Sequence, residues 1–128
     1  MSARSRPRVL VIDDEDPIRD LLVEYLEMRG YDAEGAATAG AGLALMRERP
    51  ADLVVLDVNL PGAMSGVDAV PNFARAAAVV VVSGTEDADL ARATVRRGAF
   101  GYVTKPFELE RFLGVVEAAL LQRGTTPP

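Results

Sequence analysis

Short runs of branched apolar residues, unbroken by any polar residue, restrict the fold of this chain more than any other feature. They cover residues 9–12, 53–56 and 79–82. A strand with one face in water shows a polar residue at every second position, whereas a strand of a parallel sheet is covered on both faces and is apolar throughout. The runs therefore predict central strands of a parallel sheet.

The segments between these runs carry helix-boundary residues and apolar residues at helical spacing. Pro17 can begin a helix that Gly30 ends, and Thr38 can cap a second helix that Pro50 ends. The predicted strands cover 9–12, 31–37, 53–57, 79–82 and 100–104, and the three later helices cover about 67–75, 86–97 and 108–122.

Five repeats of strand and helix with short connections predict a doubly wound α/β domain. We expect a (βα)5 fold of the flavodoxin-like kind, with a five-stranded parallel sheet and helices on both faces. Segment 31–37 should lie near a sheet edge because it has few apolar residues. At 128 residues the chain is long enough for one domain, expected over 8–123, with flexible segments at 1–7 and 124–128.

Pro71 lies where the interior of the predicted third helix would be. A proline there removes one backbone hydrogen bond and crowds the preceding turn, at a cost of about 3 kcal/mol. We therefore expect a helix that either begins at Pro71 or is short and kinked. Asp16 is expected to cap the first helix rather than to bind a ligand, and Glu15 and Asp87 are expected to serve helix starts.

The composition excludes several kinds of chemistry. The chain has no cysteine and no histidine, which excludes disulfides, thiolate metal sites and the commonest general base. Any metal must be held by oxygen, which favours Mg²⁺, Ca²⁺ or Mn²⁺. A net charge of −5 argues against direct binding to nucleic acid or to an anionic membrane. No apolar stretch is long enough for a signal peptide or a membrane span, so we expect a cytoplasmic protein.

Polar side chains suited to joint chemistry follow four of the five predicted strands. Asp13 and Asp14 follow the first, Asp57 ends the third, Ser83 follows the fourth and Lys105 follows the fifth. The carboxyl ends of parallel strands lie at one edge of a sheet, where ligands bind in open α/β folds. Lys105 is also the only lysine, since every other basic residue is arginine, and the two cations are not interchangeable.

These groups together indicate phosphoryl transfer at a metal site. Clustered carboxylates repel one another and need a divalent cation or protonation. An aspartate can attack phosphorus and form an aspartyl phosphate. Lys105 would supply positive charge and Ser83 a hydroxyl donor, as the transferred group requires.

Four sequence motifs in this order resemble the receiver domain of bacterial two-component response regulators. They are Val-Ile-Asp-Asp-Glu, Leu-Asp-Val-Asn-Leu-Pro-Gly, Val-Ser-Gly and Gly-Tyr-Val-Thr-Lys-Pro-Phe, and the resemblance covers about 8–122. Each motif alone is weak, but the set is specific. The segment 61–66 is one residue longer than the usual spacing, and 66–83 is several residues shorter.

The resemblance implies a role for each residue of the predicted site. Asp57 would be the phosphoacceptor, Asp14 a direct Mg²⁺ ligand and Asp13 a ligand through water, with Mn²⁺ as a substitute. The other implied roles are a metal contact from the backbone carbonyl of Asn59, phosphoryl contacts from Lys105 and Ser83, a switch aromatic at Tyr102, and a cis peptide before Pro106.

The resemblance also implies the partners. A sensor histidine kinase or a phosphotransfer protein would donate the phosphoryl group. The fourth helix, fifth strand and fifth helix would form the surface for a downstream protein, an output domain or a second copy, with Arg92, Arg96 and Tyr102 on it. A simpler interpretation is that the fourth helix has a solvated face formed by Arg92, Arg96 and Arg97. Phe100 replaces an acid that takes part in one dimer of this family, so that dimer is not assumed.

An enzyme is the alternative from a different class. A phosphatase or phosphotransferase of the haloacid dehalogenase type also uses an aspartyl nucleophile, but it needs a second acid two residues later. That position holds Asn59 here, and Asp57 ends the third strand rather than the first. A flavodoxin-like FMN binder is disfavoured because the acids after the first strand would repel a phosphate. The receiver interpretation predicts no activity beyond self-phosphorylation and self-dephosphorylation.

Overall fold

The computed structural model describes residues 6–59, 65–84 and 87–128, in which strands and helices alternate along the chain. Each strand is followed by a helix, as predicted. The elements are β1 Arg8–Ile12, α1 Asp16–Met28, β2 Asp32–Ala36, α2 Ala39–Glu48, β3 Leu53–Asp57, α3 Gly66–Ala74, β4 Ala78–Ser83, α4 Ala88–Arg96, β5 Gly101–Thr104 and α5 Leu109–Gln122.

The strands form one parallel sheet in the order β2-β1-β3-β4-β5. Every residue of β1, β3 and β4 is buried, which is why these strands are apolar runs without alternation. The expected edge position of the second strand is confirmed, because β2 pairs only with β1. The predicted fold class is confirmed in full.

Helices cover both faces of the sheet because neighbouring strand residues point to opposite sides. On one face, Val9, Val11 and Val55 pack with α1 and α5. On the other, Leu10, Ile12 and Leu56 pack with α2, α3 and α4. In the part of the chain that the structure describes, no helix combines the length and apolar character needed to cross a bilayer.

The start of α1 differs from the prediction. Asp16 is the first helical residue and Glu15 holds the N-cap position, where its side chain makes no capping hydrogen bond. The expectation that Asp16 caps this helix is therefore wrong. The Asp16 carboxylate instead accepts from Arg19 one turn later at 2.6 Å, because residues three apart face each other on a helix.

Other predicted helix boundaries agree with the structure. Thr38 caps α2 by accepting from the Ala41 backbone amide, and Asp87 caps α4 by accepting from two amides. The predicted start of the fourth helix at Glu86 lies outside the described residues. Gly30 and Gly98 end α1 and α4 with positive φ angles of 96° and 115°, a conformation that favours glycine.

Helix α3 runs through Pro71 instead of beginning there. It has nine residues, and the Ser65 hydroxyl caps it by accepting from the Asp68 amide. The alternative that placed the helix start at Pro71 is therefore wrong, while the expected shortness is confirmed. Val70 and Phe73 are fully buried, and burial worth about 1.5–3 kcal/mol for each offsets the cost of the proline.

Gly66 fixes the start of α3 against the end of β3. A Cβ atom at this position would lie 2.3 Å from the Asp57 carbonyl oxygen and 2.3 Å from the Val58 Cα. Both neighbours are backbone atoms, so they cannot rotate away. Only glycine lets the start of α3 lie this close to the backbone of Asp57 and Val58. The rest of the predicted turn, residues 60–64, lies outside the described part of the chain.

Candidate functional site

The predicted site residues meet at the carboxyl edge of the sheet. Asp57 ends β3, and Asp13 follows β1, which pairs with β3 through Ile12 and Leu56. Ser83 ends β4 and pairs with the end of β5, where the Lys105 amide donates to the Ser83 carbonyl at 2.6 Å. The strand order β1-β3-β4-β5 therefore brings all four strand ends side by side.

Three carboxylates form the acidic part of the site. One oxygen each from Asp13, Asp14 and Asp57 lies within 4.8 Å of the others. Asp13 and Asp57 are 2% and 4% exposed, whereas Asp14 is exposed. Hard oxygen donors that converge from two buried positions and one open position suit a divalent cation such as Mg²⁺, which retains part of its water shell. The residues therefore fit the predicted metal.

Lys105 lies between the carboxylates and neutralises part of their charge. Its Nζ is 2.9 Å from Asp13 Oδ2, 3.1 Å from Glu15 Oε1 and 3.3 Å from Asp57 Oδ2. Burial acts to lower the pKa of Lys105, but hydrogen bonds to Asp13 and Glu15 and the charge of Asp57 outweigh it, so the pKa is raised. The ammonium form is thus secured at neutral pH.

The Asp57 carboxylate has a partner on each oxygen. Oδ1 accepts from the Asn59 amide at 2.9 Å, and Oδ2 accepts from Lys105. Burial nevertheless raises the pKa of Asp57, because it outweighs these two partners, and the charge of Asp13 adds to the rise. A cation held by these acids favours the ionised form that a nucleophile needs.

Ser83 and Tyr102 lie on the β4 and β5 side of the site. Ser83 is fully buried. Tyr102 is half-buried and packs against the side of the core that α3 and α4 cover. It also lines an open groove of about 730 Å³ with Gly84 and Lys105. The peptide between Lys105 and Pro106 is cis, as the resemblance implies.

The comparison of this chain with known families decides its identity. The sequence model of the response regulator receiver domain matches residues 9–117. The chain belongs to the response regulator receiver domain family. Its fold is therefore that of a receiver domain.

Two curated relatives of this chain are regulatory proteins. The transcriptional regulatory protein KdpE of Mycobacterium tuberculosis is 40% identical over 114 residues, which cover 88% of this chain and 50% of that protein. The nitrogen assimilation regulatory protein NtrX of Azorhizobium caulinodans is 34% identical over 116 residues, which cover 88% of this chain and 26% of that protein. The chain thus spans half or less of the length of these two relatives.

Solved receiver structures have the same fold. A CheY-like receiver domain protein from Methanospirillum hungatei superposes with a TM-score of 0.87 at 28% identity and covers 94% of this chain and 98% of that one. The receiver domain of NtrX from Brucella abortus superposes with a TM-score of 0.82 at 34% identity, covering 88% and 98% of the two chains. The haloacid dehalogenase alternative is not supported by these matches.

The sequence does not predict two side-chain contacts beside the site. The sequence predicts that Glu15 serves a helix start, and Glu15 does hold the N-cap position of α1, but its carboxylate contacts Lys105. Its place directly after Asp13 and Asp14 was the signal that could have assigned it to the site. Arg19 donates from Nη1 to the Asp13 carbonyl at 2.9 Å, and its stem lies over Gly35. That contact carries no sequence signal, because it depends on how α1 packs against β2.

Proposed function

We propose that this receiver domain accepts a phosphoryl group on Asp57 from a sensor histidine kinase or a phosphotransfer protein. The observation that carries the proposal is the buried Asp57 carboxylate, held beside two further acids and the only lysine of the chain. Such a carboxylate lies at the carboxyl edge of the sheet and is surrounded by the charges that phosphoryl transfer needs.

Mg²⁺, or Mn²⁺ in its place, is the cofactor that we propose. Asp14 and Asp57 would bind it directly, Asp13 through a water molecule, and Asn59 through its backbone carbonyl. When bound, the cation neutralises the acids and the oxygens of the transferred group. Lys105, whose Nζ contacts Asp57 Oδ2, supplies the remaining positive charge.

In the proposed reaction, one Asp57 oxygen forms a bond to phosphorus. The bond between phosphorus and the imidazole nitrogen of the donor breaks, and that nitrogen keeps the electron pair. Lys105 exchanges its contact with Asp57 for a contact with a phosphoryl oxygen, and the Ser83 hydroxyl donates to another. No side chain of this site has to remove a proton from the nucleophile, because a carboxylate already carries its charge.

The proposed output is a change in the surface formed by α4, β5 and α5. Ser83 ends β4 and Tyr102 lies in β5, so a Ser83 hydroxyl drawn to the phosphoryl group would act on both elements. Packed elements have discrete arrangements, which amplify a small shift. This surface includes Tyr102, Arg96 and Arg92, which pairs with Asp89. A downstream protein, an output domain or a second copy would dock there.

The remaining parts of the proposal concern the class of protein and its location. We propose a cytoplasmic signalling module that has no catalytic activity except on its own phosphoryl group. Any binding to nucleic acid would then belong to an output partner rather than to this acidic chain. The negative net charge supports this part, because phosphate backbones bind basic surfaces.

Intact-mass spectrometry tests the proposal. The protein is incubated with phosphoramidate, a small donor with a phosphorus–nitrogen bond, with Mg²⁺ or with EDTA. We expect one phosphoryl group on the wild-type chain with Mg²⁺, and none with EDTA or in Asp57→Asn. Uptake by Asp57→Asn, or no uptake by the wild type, would reject the proposal.

A further inference from the structure

Glu15 connects the two groups that flank the phosphoacceptor. It holds the N-cap position of α1, but its side chain makes no capping hydrogen bond. Its carboxylate reaches Lys105 Nζ at 3.1 Å instead. Its backbone amide donates to Asp13 Oδ1 at 2.9 Å, while Asp13 Oδ2 accepts from the same lysine. Glu15, Asp13 and Lys105 therefore close a ring of hydrogen bonds beside Asp57.

The ring accounts for the direction of the lysine donors. An ammonium group has three N–H donors at fixed angles. Two of them are directed to Asp13 and Glu15, at 2.9 and 3.1 Å, and the third points to Asp57 along the longest contact, at 3.3 Å. When two donors of Nζ are held, the direction of the third is determined, and it points to the site of the chemistry.

We propose that Glu15 is a positioning residue for phosphoryl transfer, because it fixes the Lys105 ammonium beside Asp57. The inference rests on the proposed function. As phosphorus approaches, the third N–H passes from Asp57 Oδ2 to a phosphoryl oxygen, while the other two donors keep their partners on Asp13 and Glu15. The long lysine side chain is then already ordered when the transfer begins, as catalysis by positioning requires.

A role in stability alone would be the plainer interpretation of this ion pair. The Glu15 side chain is 57% exposed, whereas the Lys105 side chain is 14% exposed. Ion pairs with a partner this exposed contribute little to folding. Substitution of Glu15 should therefore leave the domain folded, and any change in the behaviour of Lys105 can be measured without interference from unfolding.

A matched pair of variants isolates the contact. Glu15→Gln and Glu15→Ala both remove the negative charge, so both change the attraction of an anionic donor equally. Only Gln keeps an oxygen that accepts from Lys105 Nζ. Asp20→Asn is the charge control, because the Asp20 side chain is exposed on α1 and makes no hydrogen bond or ion pair within the described residues.

The first readout is the mobility of the lysine in the metal-free protein. Lys105 is the only lysine, so labelling with ¹⁵N-lysine gives a single Nζ signal in an NMR spectrum. We expect the Nζ order parameter to fall in Glu15→Ala to values typical of flexible groups, below about 0.6. It should stay near the wild-type value in Glu15→Gln and in Asp20→Asn.

The second readout is the rate of phosphorylation by phosphoramidate with Mg²⁺. We expect Glu15→Ala to react about three- to fivefold more slowly than Glu15→Gln, which corresponds to one hydrogen bond from the ammonium to a partly exposed oxygen. Equal rates in the two variants, or an unchanged Nζ order parameter in Glu15→Ala, would overturn the inference. If the wild type itself takes up no phosphoryl group, the proposed function fails, and that outcome is distinct from equal rates in the variants.

Discussion

Replacement of Lys105 by methionine should destabilise the metal-free domain. Methionine keeps a similar length but removes the ammonium from contact with Asp13 and Asp57, which are 2% and 4% exposed. Breaking a buried ion pair by removal of one partner costs about 3–5 kcal/mol. The largely exposed Glu15 adds at most about 1 kcal/mol, and protonation of Asp57, whose pKa is already raised by burial, limits the loss.

We therefore expect Lys105→Met to lower the free energy of unfolding by about 3 kcal/mol at neutral pH. For a domain of this size that corresponds to a fall of about 10 °C in the melting temperature. The loss should become smaller as the pH falls, because protonated carboxylates no longer need the ammonium. It should also become smaller when Mg²⁺ is added, since the cation replaces the missing charge.

Urea unfolding followed by circular dichroism in EDTA measures this effect. Arg123→Met is the matched control, because Arg123 is exposed and makes no ion pair within the described residues. The control should lie within about 0.5 kcal/mol of the wild type, as is usual for surface changes. Equal stabilities of Lys105→Met and Arg123→Met would show that the lysine does not compensate the buried acids.

Three further predictions concern single positions. Asp57→Asn should be more stable than the wild type at pH 7. The pKa of Asp57 is raised in the folded state, so the wild type loses stability as the pH rises. The difference in stability between the two proteins should vanish below the unfolded pKa of about 3.9. Burial, and to a smaller extent the charge of Glu117, raises the pKa of Tyr31 to about 12, so the wild type should lose stability between about pH 10 and 12. Tyr31→Phe should remove this loss. A wild-type-like alkaline transition in the variant would contradict the prediction. Gly66→Ala should destabilise by at least about 2 kcal/mol, because its Cβ would lie 2.3 Å from backbone atoms, and an unchanged urea midpoint would refute the clash.

Strand-end residues could be predicted because two simple rules act together. Uninterrupted apolar runs identify buried parallel strands, and parallel strands place their carboxyl ends at one edge. Asp13, Asp57, Ser83 and Lys105 therefore meet without any knowledge of side-chain packing. The low apolar content of β2 likewise predicts its edge position, because an edge strand needs less covering.

Contacts that depend on side-chain reach could not be predicted. Glu15 and Lys105 are 90 positions apart, and they meet because the start of α1 and the segment that follows β5 line the same cavity. Arg19 finds the Asp13 carbonyl through the packing of α1 against β2. The prediction of a helix start at Pro71 is wrong for a different reason. Burial of Val70 and Phe73 outweighs the local cost of a proline inside a helix.

The position of the phosphoryl group shows most directly whether Asp57 is the phosphoacceptor. Borohydride reduces an aspartyl phosphate to homoserine, so treatment of the phosphorylated protein followed by peptide mass spectrometry identifies the modified residue. We expect homoserine at position 57 when phosphoramidate and Mg²⁺ are both present, and unmodified aspartate there when EDTA replaces Mg²⁺. Homoserine at position 13 or 14, or none at position 57 in a chain that carries a phosphoryl group, would contradict phosphorylation on Asp57.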